Sequence, residues 1–173
     1  MLRIIVLGGL LLLGEQVRAV ELGAKFDSID GGTLSLSDWN GQPVLVVNTA
    51  SQCAFARQYQ RLQDLYDRYR NRGLVVAAVP RDDFQQELAT NYEVRNFCEL
   101  QYGSDFSMSV ITHVTGADAH LFLRSLKEVE GFAPRWNFNK VLIGLGGTAV
   151  ETYGSIVDPL SASITNEIEE LLP

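Results

Sequence analysis

Two unbroken apolar runs separated by one amphipathic stretch constrain this chain most. Pro43-Val44-Leu45-Val46-Val47 and Leu74–Val79 are each rich in β-branched residues, and such runs suit strands buried on both faces. Between them Tyr59, Leu62, Leu65, Tyr66 and Tyr69 recur at helical spacing. Arg61, Asp64, Arg68 and Arg70 lie among them as a solvated face, and Gly73 is placed to end the helix. Strand, helix and strand joined by short connections form a βαβ unit, which requires parallel strands.

The remaining elements fit around that unit. Phe26–Leu36 reads as a hairpin turning at Asp30-Gly31-Gly32, and Val141–Leu145 with Ala149–Tyr153 as a second hairpin around Gly146-Gly147-Thr148. Helices are expected over Gln86–Leu100 and Ala117–Val129. A last helix is expected to be capped by Asp158, with Pro159 in its first turn and Ile164, Ile168, Leu171 and Leu172 as its buried stripe. No internal repeat or interdomain linker interrupts residues 20–173, which read as one α/β domain: a mixed sheet flanked by helices, with an N-terminal hairpin.

Residues 1–19 have the pattern of a secretory signal peptide. Arg3 precedes the apolar stretch Ile4–Leu13, and Val17-Arg18-Ala19 offers a cleavage site. The stretch is shorter than the roughly 20 residues needed to span a bilayer. The expected product is secreted or periplasmic, with no membrane segment in the mature form. A net charge of -7 opposes nucleic acid as a partner.

Only two cysteines are present, Cys53 and Cys98. In an exported chain such a pair is either a structural staple or a working redox couple, and the count alone leaves both open. His113 and His120 are not at zinc-ligand spacing with either cysteine, so neither a metal nor a cofactor is expected. The segment Val44–Phe55, VLVVNTASQCAF, places Cys53 after a buried strand and at the expected start of a helix. Free N–H groups and the helix dipole favour a thiolate there.

This segment resembles the nucleophile motif of the glutathione peroxidase family, and Gln58-Tyr59 resembles the pair that follows it. Ser28–Ser51 is similar to the family's opening hairpin and first core strand. Trp136-Asn137-Phe138 matches its Trp-Asn-Phe signature, followed by Asn139-Lys140. The resemblance runs in order over residues 22–172 and implies a thioredoxin-like fold. It implies that Cys53 attacks the O–O bond of a hydroperoxide and becomes a sulfenic acid, with Trp136 and Asn137 donating N–H groups to sulfur and peroxide. The stretch Glu93–Cys98 resembles the segment carrying the resolving cysteine in thioredoxin-dependent members. Cys98 would then close a disulfide with Cys53 after local unwinding of its helix. A thioredoxin-like protein or glutathione would reduce it, in a role in oxidative stress. The short segment between Val110 and Trp136 is similar to the monomeric branch.

The chain also departs from the family. Cys53-Ala54-Phe55-Ala56 replaces Cys-Gly-Phe-Thr, and Arg57 replaces a proline, bringing a cation near Cys53. Where the family reads Pro-Cys-Asn-Gln-Phe, this chain reads Pro80-Arg81-Asp82-Asp83-Phe84. Asp83 therefore stands in place of a catalytic glutamine, and an ionised carboxylate accepts hydrogen bonds but donates none. At about 5 Å and an effective dielectric of ~20, its charge would oppose a thiolate by roughly 3 kcal/mol. Asp83 is either ion-paired with Arg57 or Arg81, protonated, or turned to solvent. The rival readings on the same fold are a redox sensor with weak peroxidase activity and a non-catalytic binding module.

Overall fold

In the computed structural model, residues 19–173 are described, so the leader expected over residues 1–19 lies almost entirely outside them. The N-terminal hairpin is short: β1 (Phe26–Asp27) pairs antiparallel with β2 (Thr33–Leu34) around Gly31 and Gly32, both at positive φ. It docks on the main sheet through Ile29 N donating to Met108 O and Val110 N to Asp27 O.

The two apolar runs become β3 (Val44–Thr49) and β4 (Val75–Pro80), parallel and paired from Val44–Val75 to Thr49–Pro80. They enclose α1 (Gln58–Tyr69), which tightens into a 3-10 turn and ends at Gly73 in the left-handed conformation. The chain continues through α2 (Asn91–Tyr102), β5 (Ser107–Met108) and α3 (Leu121–Glu130). The second hairpin, β6 (Lys140–Ile143) and β7 (Ala149–Tyr153), precedes α4 (Ala162–Leu171). The sheet order is β5-β4-β3-β6-β7, with β6 antiparallel to β3.

Alternation along the central strands builds a three-layer domain. Leu45, Val47, Val76 and Ala78 pack with Tyr59 and Leu62 of α1, Val94 and Cys98 of α2, and Ile164 and Ile168 of α4. Val44, Val46, Ala77 and Val79 pack with Phe122, Leu123 and Leu126 of α3 on the other face. Each fully buried aliphatic side chain contributes about 1.5–3 kcal/mol, so a sheet covered on both faces is strongly held. Among the described residues, no helix is long and apolar enough to cross a membrane.

Three helices start later than expected. α2 begins after Thr90 rather than at Gln86, because Thr90 and Glu93 form a capping box: Glu93 N donates to Thr90 Oγ1 at 3.2 Å and Thr90 N to Glu93 Oε2 at 3.0 Å. Residues 85–88 are held instead by the loop that carries Cys53. α3 begins after His120, whose Nδ1 accepts from Phe122 N at 3.3 Å while its ring stacks on Phe26. α4 begins after Ser161, not at Pro159. Asp158 makes a turn before it, accepting from Leu160 N at 2.8 Å and from Arg61 Nε.

Candidate active site

The strand directions bring three loops to one end of the sheet. β3 and β4 finish there, and β6, running the other way, starts there with Lys140 opposite Val47. Ligands of parallel sheets bind beyond the carboxyl ends of the strands. The loops are those of Cys53, of Arg81–Glu87 and of Trp136–Asn139.

Cys53 is reduced and buried, 6% exposed. The expected position at a helix start is corrected: α1 begins only at Gln58, and Cys53 lies in a run of tight turns before it. Ala56 N donates to Cys53 O at 2.9 Å and Gln58 N to Phe55 O at 2.8 Å. The turns still aim a donor at the sulfur, since Phe55 N reaches Cys53 Sγ at 3.5 Å. Arg57 is exposed at the end of these turns. The loop is fastened from the β4 side, with Ser51 N donating to Glu87 Oε1 and Gln52 N to Gln86 O, both at 2.9 Å. Burial pushes the Glu87 carboxyl up, against hydrogen bonds from Ser51 and Leu88.

The Trp136–Asn139 turn is fixed by two buried side chains. Asn48, at the end of β3, donates from Nδ2 to Trp136 O at 2.9 Å and accepts at Oδ1 from Asn139 N at 3.1 Å, while its carbonyl accepts Phe138 N at 2.6 Å. Lys140, wholly buried, donates from Nζ to Phe138 O and Val157 O, each at 2.8 Å. These bonds hold Phe138 at φ +61, in the left-handed region where a bulky side chain is strained. Burial pushes Lys140 down to about 7, with Asp158 opposing; a neutral amine has two N–H groups, matching its two carbonyl partners.

That turn delivers Trp136 and Asn137 differently. Asn137 is fully buried and donates from Nδ2 to Gln86 Oε1 at 2.8 Å. Trp136 is 41% exposed and stacks on Phe84 with ring centroids 4.7 Å apart. On the Phe84 ring the Arg81 guanidinium rests 3.4 Å from the centroid. The cation, the phenyl ring and the indole thus link the β4 loop to the Trp-Asn-Phe turn.

The Asp83 carboxylate is engaged by Arg81, Val114 and His113. Its Oδ2 accepts from Arg81 Nε at 3.1 Å and Val114 N at 3.0 Å, and its Oδ1 lies 3.2 Å from His113 Nδ1. Burial raises its carboxyl, but Val114, Arg81 and His113 outweigh this and hold it below the usual aspartate range. The open question at this position is therefore settled as an ion pair with Arg81, itself wholly buried. Burial lowers the Arg81 guanidinium and Asp83 pulls it back. The sequence had not signalled Gln86, Glu87 or His113 as members of this network; only the spatial meeting of loops reveals them.

Cys98 occupies the middle of α2, 2% exposed and reduced. It shares a core cluster with Cys53. Burial pushes its thiol up to about 12, with Tyr59 opposing and Glu87 adding. The Tyr59 hydroxyl, also wholly buried, lies against Cys98. While α2 is intact, Cys98 is shielded and protonated.

A reduced cysteine just beyond the central strand of a thioredoxin-like fold is the architecture of thiol-dependent oxidoreductases. The solved neighbours share that fold: the apo structure of Trgpx superimposes with a TM-score of 0.67 at 28% identity, covering 87% of this chain and 93% of the other. GPX1 of T. cruzi gives 0.65 at 25%, covering 85% and 92%. The chain belongs to the glutathione peroxidase family, whose profile matches residues 22–127. It is 39% identical over 161 residues to the hydroperoxy fatty acid reductase gpx1 of Synechocystis sp., covering 87% of this chain and 94% of the relative. It is 36% identical over 148 residues to the glutathione peroxidase-like peroxiredoxin gpx1 of Schizosaccharomyces pombe, covering 83% and 92%. The protein is a thiol peroxidase, an oxidoreductase that takes a peroxide as oxidant and a thiol as reductant.

Proposed function

We propose that Cys53 is the sulfur that attacks the peroxide and that Cys98 resolves the product. The Cys53 thiolate attacks one peroxide oxygen, the O–O bond breaks, and the displaced oxygen takes a proton to leave as water or an alcohol. Cys53 becomes a sulfenic acid. The Cys98 thiol then displaces its hydroxyl as water, forming the Cys53–Cys98 disulfide. Two electrons from an external dithiol return both cysteines to thiols. Asn137 and Trp136 act as N–H donors toward the sulfur and the peroxide, and Asp83 acts on the loop's structure rather than on the chemistry.

The observation that carries this reading is the placement of Cys53 Sγ beyond β3, with Phe55 N–H on it and Gln86 joining its loop to Asn137. The partly exposed indole of Trp136 supplies apolar surface beside this site and suits an organic hydroperoxide, such as the fatty acid type named for the Synechocystis relative. A thioredoxin-like dithiol is the reductant in this reading, as the peroxiredoxin names of relatives support; glutathione is the alternative donor. The working form is a monomer of residues 20–173, exported by the leader over residues 1–19 to the periplasm or outside the cell.

Trapping tests the assignment. The Cys98→Ser variant, given one equivalent of peroxide and then dimedone, should carry the adduct on Cys53. An adduct elsewhere, or none, would remove Cys53 from the role.

A further inference from the structure

One departure from the family puts arginine in place of cysteine at position 81, and that side chain is wholly buried. Burying a guanidinium is costly unless its charge and its N–H groups find partners. Arg81 donates from Nε to Asp83 Oδ2 at 3.1 Å and from Nη2 to Thr115 Oγ1 at 3.4 Å. Its Nη1 has no hydrogen-bond partner among the described residues. The other close partner is the face of Phe84, whose centroid lies 3.4 Å from the guanidinium carbon. The quadrupole of a ring attracts a cation over its face, and more strongly once water is excluded.

We propose that Arg81 is a positioning residue: acting through Phe84, it holds the Trp136 indole in place for the peroxide step. The role rests on the reading of Trp136 as an N–H donor beside Cys53. The Trp136 backbone needs no such help, because Asn48 Nδ2 donates to its carbonyl. The indole does. It is 41% exposed, and the ring it stacks on is Phe84, with centroids 4.7 Å apart and planes 20° from parallel.

A stacked indole and a guanidinium at these distances cannot share one face of a phenyl ring, so Phe84 lies between them. The inner end of the stack is anchored. Arg81 N donates to Thr49 O at 3.0 Å, at the end of the central strand, and Asp83 and Thr115 fix the guanidinium. The outer end is the indole. A buried cation thus sets the tilt of a half-exposed ring through one aromatic contact on each side. Removing one donor aimed at developing charge typically costs a rate about a hundredfold or more, so an indole left free to turn should slow the oxidation step measurably.

The test uses reduced protein in a Trp39→Phe background, which leaves Trp136 as the one tryptophan of the chain. Quenched-flow thiol counts give the rate of oxidation by hydrogen peroxide, and fluorescence reports on the indole. Phe84→Leu removes the aromatic face and leaves Arg81 and Asp83 paired. It should slow oxidation at least about tenfold, move Trp136 emission to longer wavelength and lower its anisotropy. Phe84→Tyr restores the face and should recover both. Arg81→Lys keeps a cation for Asp83 but has no planar group to lie on the ring, and should shift the rate and the emission in the same direction as Phe84→Leu. Should Phe84→Leu fail to fold, Arg81→Lys carries the test. Wild-type rates in both variants, or slowed oxidation with Trp136 emission unchanged, would overturn the proposal. Wild-type oxidation in Trp136→Phe would instead bring down the reading it rests on.

Discussion

Restoring the family's residue at position 83 should harm this protein. Arg81 is wholly buried, and the Asp83 side chain facing it is 10% exposed. Removing one partner of a buried ion pair costs about 3–5 kcal/mol, because the other charge is left uncompensated. The lower end applies, since Arg81 keeps Phe84 beneath it and Thr115 Oγ1 at 3.4 Å. Val114 N also loses its acceptor, which adds about 1 kcal/mol. A glutamine recovers part of both contacts, giving a net loss of about 3 kcal/mol for Asp83→Gln. In a domain of this size that corresponds to a Tm lower by roughly 6–12 °C. The carboxyl is held below its unfolded value, so the native state favours its ionised form. Its stabilisation is full above about pH 4 and fades as pH falls through the native value. The gap between variant and wild type should therefore narrow in acid. Urea and thermal unfolding at neutral and acid pH give the energies, and stopped flow gives the oxidation rate, expected within about threefold of wild type. A variant that is equally stable and faster with peroxide would refute the reasoning, placing the carboxylate at the sulfur instead.

Further expectations concern the other buried groups. Lys140 titrates near 7 when folded and near 10.4 when unfolded, so the unfolded chain binds the extra proton between these values. Stability from this group should rise with pH across that window by up to ~1.4 kcal/mol per unit, and Lys140→Met should abolish that slope in urea titrations. Cys98, shielded in α2, should alkylate far more slowly than an unfolded thiol, and Cys98→Ser should leave the first oxidation intact while halting dithiol-driven turnover. Thr90→Ala removes the capping box and loosens α2 by about 1 kcal/mol. If opening α2 limits resolution, disulfide formation should accelerate about fivefold, as followed by quenched-flow thiol counts.

The fold was legible because its signals are local and periodic. The runs at Val44–Val47 and Leu74–Val79, the stripe through Tyr59, Leu62, Leu65 and Tyr69, and the glycines of both hairpins carry their structure in spacing alone. Helix starts were less legible because Thr90 and His120 cap their helices several residues beyond where the periodicity begins. Asp158-Pro159 reads as a helix start, yet its turn precedes Ser161, and the helix begins only at Ala162 without a side-chain cap from Ser161. Within the site, Trp136, Asn137 and the two cysteines could be named from motifs. The direction of Asp83 could not, because it depends on Val114 and His113, distant in sequence and brought near by β4 and the loop after β5. Gln86 was hidden for the same reason: its partners, Gln52 and Asn137, meet it only when the three loops converge.

The most direct test mixes reduced residues 20–173 with one equivalent of hydrogen peroxide, following Trp fluorescence in stopped flow and counting the thiols that remain. The expected result is rapid loss of both thiols in the wild type, their recovery on addition of a thioredoxin-like dithiol, and no peroxide-driven change in Cys53→Ser. Unchanged thiols in the wild type, or undiminished peroxide consumption by Cys53→Ser, would contradict the assignment of Cys53 as the peroxide-attacking sulfur.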